Sequence, residues 1–190
     1  AGGPPCQGFS IAGRRVADDP RNQMFKQFVR IVKEIEPRVF VFENVRGITS
    51  MQGGQVLKAI LQEFTSLGYS CQWKTLDASD YGVPQARPRF ILVGTSPETN
   101  FTFPTATHSF LDSEEDFFEE KLIRKITVWD AISDLPNLLQ GEGSEELLHS
   151  GDYHNEFQRD RRGKRTPGSI FNHRATSHSE LVQERYRLIP

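Results

Sequence analysis

The 190-residue sequence predicts an α/β fold, and three observations support this prediction. Two segments repeat apolar residues at the spacing of an amphipathic helix. A short run between these segments is almost continuously apolar and rich in β-branched and aromatic residues, as in a buried strand. Two further strand-like runs follow the second helical segment. This order of elements indicates a sheet with helices packed against it.

The first predicted helix covers about residues 21–36. Asp19-Pro20 is a favourable helix entry, and Pro37 ends the run. The apolar stripe of this helix consists of Met24, Phe25, Phe28, Val29, Val32 and Ile35. The following segment, Arg38–Phe42, predicts a central strand that is covered on both faces.

The second predicted helix covers about residues 54–67, and Gly68 stands where a left-handed C-cap is expected. Residues 69–77 and 89–94 predict two strands, joined by the turn-rich segment 80–84. Residues 1–104 are therefore assigned to one α/β region.

The composition changes after Pro104, and residues 105–190 are assigned to a second, more loosely built region. Residues 112–120 carry six acidic side chains, and short helices are predicted near residues 126–135 and 179–187. A basic run later in this region is either a solvated loop or a contact to a nucleic-acid backbone. The run consists of Arg159, Arg161, Arg162, Lys164 and Arg165.

Composition and charge limit the classes of function. With 23 basic and 25 acidic residues, the chain would have to bind a nucleic acid through a local patch or through a region outside it. Two cysteines without a CxxC pair argue against a disulfide framework and a zinc site, and His173 and His178 lack a third ligand. No apolar run reaches the ~20 residues of a membrane span. We expect a soluble, intracellular protein without a metal.

Cys6 is the first candidate for chemistry. It follows Pro4-Pro5 and precedes Gln7-Gly8, so its backbone is rigid and another molecule can approach it closely. An isolated cysteine is commonly a small buried hydrophobe, but Cys6 lacks the apolar neighbours of such a residue. We interpret Cys6 as an exposed nucleophile that reacts as a thiolate.

Glu43 and an arginine pair are the next candidates. Glu43 follows the predicted central strand, at the edge where open α/β sheets bind ligands, and it is either a working acid or a solvated carboxylate. Arg87 and Arg89 stand two residues apart on an extended chain and point the same way. They are suited to holding a phosphate and a base carbonyl, and the alternative is a surface pair.

Together these segments resemble the C5 cytosine DNA methyltransferases. The family's three motifs are matched by Gly3-Pro4-Pro5-Cys6-Gln7, by Glu43-Asn44-Val45, and by Gln85, Arg87 and Arg89, with Asp80-Tyr81-Gly82-Val83-Pro84 directly before the third. The resemblance is close over residues 1–95. It continues more weakly through residues 128–136, 172–173 and 185–190, which resemble the connector into the family's target recognition region.

The resemblance implies part of a Rossmann-like, S-adenosylmethionine-dependent methyltransferase domain. Residues 1–104 would be the catalytic half of this domain, and residues 105–190 the connector and the start of a smaller, irregular target recognition region. The family's cofactor half would precede residue 1 and its late motifs would follow residue 190. We therefore expect an internal fragment that is inactive alone, with the cofactor half on the same chain or on a separate one.

The resemblance also implies S-adenosylmethionine as the cofactor and double-stranded DNA as the partner. The expected catalytic residues are Cys6, which attacks cytosine C6, Glu43, which acts at N3, Arg89, which binds O2, and Arg87, which supports Glu43 or a phosphate. The cytosine would be turned out of the duplex, and a mobile loop over residues 7–22 would grip the DNA. Weaker contacts are expected from Pro5 to the cofactor and from Pro4, Gln7, Ser10, Arg21, Val45 and Gln85 to the DNA or the base.

Three alternatives remain. Methylation of tRNA cytosine is the nearest, although Gly8-Phe9-Ser10 differs from that branch of the family. A non-catalytic or split-enzyme subunit is the second. A thiol hydrolase is the third, and no histidine is recognisable as a partner of Cys6. The expected setting is a bacterial restriction-modification enzyme, cytoplasmic and associated with the chromosome, or a nuclear enzyme if the source is eukaryotic.

Overall fold

The computed structural model describes residues 1–4, 24–110, 122–149, 152–162 and 168–189. The chain divides into two compact units, Ala1–Lys125 and Ile126–Pro190. The composition change at Pro104 lies inside the first unit. The assignment of separate functions to residues 1–104 and 105–190 stays a prediction.

The first unit is built on a three-stranded sheet with two helices. The strands β1 (Val39–Val45), β2 (Ser70–Asp77) and β3 (Pro88–Thr95) lie in the order β1-β3-β2, and both neighbouring pairs are antiparallel. The helices are α1 (Met24–Ile35) and α2 (Gln55–Ser66). The predicted helices and strands are therefore confirmed, with bounds that differ by at most one residue at the ends that the structure describes, except at the end of β1.

One face of the sheet and the two helices form the core. Phe28 of α1 packs edge-on against Phe40 and Phe42 of β1, with ring centroids 5.9 and 5.5 Å apart. Phe64 of α2 lies 4.4 Å from Phe40. Burial of each such side chain contributes about 1.5–3 kcal/mol relative to leaving it exposed. Three residues of each helical stripe are buried, Phe25, Val29 and Val32 in α1 and Leu57, Ile60 and Phe64 in α2. Met24 and Ile35, at the two ends of the predicted α1 stripe, are instead exposed, because they lie at the ends of the helix and beyond the sheet that covers its middle.

The strand β1 differs from its prediction in two respects. It extends to Val45 rather than ending at Phe42, because residues 43–45 stay in register with residues 89–91 of β3. Its residues alternate between buried and more exposed, so the described residues cover one face of the strand and not both. On its second edge β1 is paired through a parallel bridge between Gly2 and Phe42.

The end of α2 follows the predicted glycine signal. Gly68 has φ = 88°, and its N–H donates to the carbonyl oxygen of Thr65 at 2.9 Å. The N–H of Tyr69 donates to the carbonyl oxygen of Phe64 at 3.2 Å. These two bonds satisfy carbonyl groups that the helix end would otherwise leave open. The left-handed C-cap at Gly68 is confirmed.

The other elements that the structure describes in the first unit are short. Two 3₁₀ helices, Arg46–Thr49 and Met51–Gly54, connect β1 to α2, and a third, Ala78–Tyr81, follows β2. Two-residue strands β4 (His108–Ser109) and β5 (Ile123–Arg124) pair in parallel.

The described residues of the second unit form three short helices and a two-stranded antiparallel sheet. The helices are α3 (Val128–Ile132), α4 (Glu156–Arg162) and α5 (Glu180–Arg187), and the strands are β6 (Gly143–Leu148) and β7 (Ser169–Arg174). The sequence predicts helices near α3 and α5 but neither strand, because polar segments such as Gly-Ser-Glu-Glu have weak β propensity. At Gly143, where φ is 93°, a Cβ atom would lie only 2.1 Å from the carbonyl oxygen of His173, so the ladder requires glycine there.

A buried ion pair joins elements of the second unit. The fully buried carboxylate of Asp134 accepts from Arg162 Nε at 3.0 Å and from Nη2 at 2.9 Å, and it lies 3.0 Å from His149 Nε2. Burial acts to raise the pKa of Asp134, but the bonds from Arg162 and His149 and the arginine charge outweigh it, so the pKa lies below its usual value.

The basic run beginning at Arg159 was predicted to be either a solvated loop or a contact to a nucleic-acid backbone, and its described part is a helix. Arg159, Arg161 and Arg162 belong to α4 and not to a loop, and Arg162 is engaged by Asp134. Lys164 and Arg165 lie outside the described residues.

Candidate active site

The N-terminal residues lie along β1. The N–H of Gly2 donates to the carbonyl oxygen of Val41 at 2.9 Å, and the N–H of Glu43 donates to the carbonyl oxygen of Gly2 at 3.0 Å. A Cβ atom at Gly2 would overlap the ring of Phe28, at 2.6 Å, so this close pairing depends on a glycine. The chain that leads to Cys6 is thereby bound to the strand that carries Glu43.

Gly3 lies directly against the side chain of Glu43. A Cβ atom at Gly3 would stand 2.9 Å from Glu43 Oε2. Cys6 itself lies outside the described residues.

Glu43 forms an ion pair with Arg89 of β3. Glu43 Oε1 lies 3.0 Å from Arg89 Nε, and the two side chains are 44% and 25% exposed. The antiparallel register places Glu43 opposite Ile91 and Arg89 opposite Val45, so the two residues are diagonal neighbours on the sheet face turned away from the helices. Arg89 Nη1 also donates to the carbonyl oxygen of Pro88 at 2.9 Å, which further fixes the guanidinium.

Asn44 connects the same strand to the segment before Cys6. Its side chain is 2% exposed; Nδ2 donates to the carbonyl oxygen of Pro4 at 3.4 Å, and Oδ1 accepts from the N–H of Val45 at 2.9 Å. The sequence interpretation included Asn44 in a motif without giving it a role. The available signal was a buried amide within an apolar strand, because such a group requires a partner.

The predicted site residues are only partly brought together by the described chain. Pro4, Glu43, Val45 and Arg89 lie at one edge of β1 and β3. Gln85 and Arg87 are exposed in the connection that precedes β3, where the N–H of Arg87 donates to Asp77 Oδ1 at 3.0 Å. Four predicted site residues besides Cys6 lie outside the described residues: Pro5, Gln7, Ser10 and Arg21.

Cys71 is the cysteine that the structure describes, and it does not resemble a nucleophile. It is half-buried in β2 and packs against the core cluster. Burial raises the pKa of its thiol to about 11, so the thiol stays protonated near neutral pH. Cys71 is therefore a packing residue of the first unit.

A nucleotide-sized cofactor would need a cavity next to Glu43. A cavity of about 260 Å³ is lined by residues that include Val32, Arg38 and Gly68. It lies at the start of β1, about 17 Å along an extended strand from Glu43, and it is smaller than typical ligand sites. The cavity does not fit S-adenosylmethionine with its methyl group beside Glu43.

The described ranges contain no group of three or more His, Cys, Asp and Glu side chains arranged to hold a metal ion. Within them, no helix combines the length and apolar character of a membrane-crossing segment.

Comparison with known sequences decides the family. The profile of the C-5 cytosine-specific DNA methylases matches residues 1–188. The chain belongs to this family. The recognition based on the three motifs is thus confirmed.

Individual members of the C-5 cytosine-specific DNA methylases are similar over large parts of the chain. Type II methyltransferase M.DdeI of Desulfomicrobium norvegicum is 39% identical over 193 aligned positions, which cover 99% of this chain and 44% of that protein. Type II methyltransferase M1.HphI of Haemophilus parahaemolyticus is 42% identical over 156 positions, covering 80% of this chain and 38% of that protein. The chain thus spans less than half the length of these two relatives.

A solved structure supports the α/β methyltransferase fold. A protein described as a DNA modification methyltransferase encoded within an E. coli prophage matches with a TM-score of 0.65 at 29% identity, covering 97% of this chain and 53% of that one. The predicted fold class is confirmed.

Proposed function

We propose that the whole protein transfers a methyl group from S-adenosylmethionine to C5 of cytosine in double-stranded DNA, through a covalent adduct between Cys6 and C6 of a flipped-out base. The observation that carries this proposal is the Glu43–Arg89 ion pair beside the backbone of Gly3. Similarity to Type II methyltransferases supports methylation of DNA.

The proposed reaction begins with addition of the Cys6 thiolate to C6. Addition breaks the C5–C6 double bond and builds negative charge over the ring, which makes C5 nucleophilic. A proton or hydrogen bond from Glu43 at N3 and the Arg89 guanidinium at O2 would stabilise this charge. A carboxyl group and a guanidinium held side by side match the neighbouring N3 and O2 atoms of cytosine.

The adduct resolves after C5 has received its methyl group. A base removes the C5 proton, the C5–C6 double bond re-forms, and the Cys6 thiolate leaves by elimination. When bound, S-adenosylmethionine supplies the electrophilic methyl group, and its site is proposed to lie outside the described residues, with Pro5 as a weak contact.

Access to the ring requires that the cytosine leave the helical stack, at a cost of a few kcal/mol. We propose that Gln7, Ser10 and Arg21 hold the backbone around the flipped nucleotide. The carbonyl oxygen of Pro4 would accept from the cytosine amino group. It has a second lone pair for this bond while it accepts from Asn44 Nδ2. Val45, at the end of β1, and Gln85, before β3, would contact the DNA or the base, and Arg87 would support Glu43 or a phosphate.

A cytoplasmic location of the protein stays a prediction.

The test is covalent trapping with 5-fluorocytosine. Fluorine at C5 cannot leave as a proton does, so a productive enzyme stops as a covalent protein–nucleic acid adduct. The whole protein is incubated with S-adenosylmethionine and with duplex DNA or tRNA that carries the analogue, and adducts are resolved under denaturing conditions.

The control is Cys6→Ala, with Cys71→Ala as a matched cysteine variant. A DNA adduct that is lost in Cys6→Ala and retained in Cys71→Ala is the expected result. An adduct that forms with tRNA and not with DNA would show that the substrate is RNA, and the proposed DNA substrate would be wrong. Absence of any adduct on DNA that contains an established target sequence would favour a non-catalytic subunit.

A further inference from the structure

The Asp77 carboxylate lies at the base of the connection between β2 and β3, where a backbone bond from Ala78 N–H to the carbonyl oxygen of Arg87 at 3.3 Å also joins the two ends. Residues 78–87 form this connection, and they include the 3₁₀ helix Ala78–Tyr81 and a left-handed Gly82 with φ = 80°. At its base, Asp77 Oδ1 accepts three hydrogen bonds: from Ser79 N–H at 3.0 Å, from Ser79 Oγ at 2.9 Å and from Arg87 N–H at 3.0 Å. One oxygen atom therefore binds both ends of the connection.

The position of Asp77 explains why a side chain is needed there. Asp77 lies opposite Pro88, the first residue of β3, and proline has no N–H to continue the ladder. The Asp77 carboxylate instead takes the N–H of the preceding residue, Arg87. This bond sets the entry of β3 two residues before Arg89, whose Nε reaches Glu43.

A lysine from a distant part of the chain braces this carboxylate. Lys125 Nζ donates to Ser79 Oγ at 2.9 Å and forms an ion pair with Asp80, and its side chain is 13% exposed. The Ser79 hydroxyl thus accepts from Lys125 while it donates to Asp77. The segment before β4 is also bound to the connection, because the N–H of Thr107 donates to the carbonyl oxygen of Asp80 at 2.9 Å.

We propose that Asp77 is a positioning residue for Arg89, and that Lys125 braces it through the Ser79 hydroxyl. The inference rests on the proposed function, because it assigns these residues to the reaction in which Arg89 would bind the cytosine. This role requires a side-chain oxygen at residue 77 that accepts the hydrogen bond from the N–H of Arg87. An asparagine there keeps such an oxygen for the same three donors, whereas an alanine leaves the N–H of Arg87 without this acceptor.

The test compares Asp77→Ala with Asp77→Asn in the whole protein. Asp77→Ala is expected to lower kcat about 10- to 100-fold with little change in KM for DNA, because Arg89 is misplaced while the other DNA contacts remain. Asp77→Asn is expected to stay within about 3-fold of the unchanged protein. Glu34→Ala, which removes an exposed carboxylate from a pair with Arg30 in α1, is the matched control and is expected to leave kcat unchanged.

A second readout does not depend on activity. The Arg89 Nε–H signal in NMR, assigned with Arg89→Lys, reports whether the guanidinium is held against Glu43. It is expected to broaden or exchange faster in Asp77→Ala and to persist in Asp77→Asn. If the unchanged protein is inactive while the signal responds in this way, the proposed function fails and the positioning of Arg89 by Asp77 stands.

Two results would overturn the inference. One is an Asp77→Ala protein with unchanged kcat and an unchanged Arg89 signal; the other is an Asp77→Asn protein as impaired as Asp77→Ala. If Asp77→Ala does not fold, Ser79→Ala takes its place, because it removes only the hydroxyl between Lys125 and Asp77. A loss of kcat of about 3- to 10-fold is then expected, and an unchanged kcat and Arg89 signal would reject the inference.

Discussion

The Glu43 carboxylate and the Arg89 guanidinium meet across two antiparallel strands, with 3.0 Å between Oε1 and Nε. The two residues are 46 positions apart in the sequence and diagonal neighbours in the sheet. Because the pair is partly exposed, its contribution to stability is at most about 1 kcal/mol. The pair matters more for position than for stability, because it holds a carboxylate and a guanidinium next to Gly3, in the segment that leads to Cys6.

Replacement of Glu43 tests whether the carboxyl group acts in the reaction. Glu43→Gln keeps the shape of the side chain but removes the acid and the charge opposite Arg89. Turnover by the whole protein is expected to fall about 10²- to 10⁴-fold, the range typical of general acid–base groups, with little change in affinity for duplex DNA. Steady-state kinetics and equilibrium DNA binding measure the two quantities. Equal losses in both would make Glu43 a structural residue.

Replacement of Asn44 tests the link to Pro4. Asn44→Ala leaves the buried N–H of Val45 without its acceptor and the Pro4 carbonyl without its donor, so the free energy of unfolding is expected to fall by about 1–3 kcal/mol. The rate of adduct formation at Cys6 is expected to fall as well. Denaturant titration and single-turnover trapping measure these effects.

Asn44→Asp distinguishes the effects of the two hydrogen bonds that the Asn44 side chain forms. It retains an acceptor for Val45 but turns an oxygen, instead of the Nδ2 donor, toward the Pro4 carbonyl. We expect slow trapping in this variant too. A normal trapping rate in both variants would restrict Asn44 to a role in stability.

Replacement of Gly3 tests the space beside Glu43. A methyl group at Gly3 would meet Glu43 Oε2 at 2.9 Å, and this oxygen ends a flexible side chain that can move aside. Gly3→Ala is therefore expected to cost less than about 1 kcal/mol of stability but to lower turnover roughly 10-fold, by displacing the carboxylate from Arg89. Thermal unfolding and kcat are the measurements.

Gly94→Ala is the matched glycine variant. Its methyl group would lie 2.1 Å from the ring of Phe40 in the core, so it is expected to destabilise the protein by about 1–3 kcal/mol and to leave the turnover of the folded fraction unchanged. Full turnover in Gly3→Ala would show that Glu43 does not depend on the close approach of Gly3.

The buried carboxylate of Asp134 predicts acid sensitivity. Its pKa is lower in the folded protein than in the unfolded chain, where the pKa of an aspartate is about 3.9. The stability it contributes is therefore fully present above that unfolded value and is lost as the pH falls through the folded value. The free energy of unfolding is expected to decrease between about pH 5 and pH 2.

Asp134→Asn is expected to lower stability at neutral pH and to flatten this acid dependence. The measurement is denaturant unfolding over the same pH range, with the exposed Glu34→Gln as the control. An acid dependence in Asp134→Asn as steep as in the unchanged protein would mean that other carboxylates, Asp77 among them, dominate it.

Most of the first unit was predictable because its signals are local. Helical spacing in α1 and α2, the apolar run of β1 and the C-cap at Gly68 each depend on residues close together in the chain. The extension of β1 to Val45 was not predictable, because Glu43 and Asn44 have low strand propensity and are held in place by pairing with β3. The strands of the second unit were missed for a related reason: their polar sequences pair only in the folded unit.

The sequence by itself determined which chemical groups this protein carries and in what order. A cysteine after two prolines, a glutamate after an apolar run and two arginines around the start of a strand identify a family, because each motif consists of residues close together in the chain. Tertiary structure alone decided which of these groups meet. The order β1-β3-β2 brings Arg89 to Glu43, the Gly2 bridge brings the approach to Cys6 alongside, and Asp77 and Lys125 fix the entry to β3. These contacts join residues distant in the chain, and their distances are set by strand register and core packing.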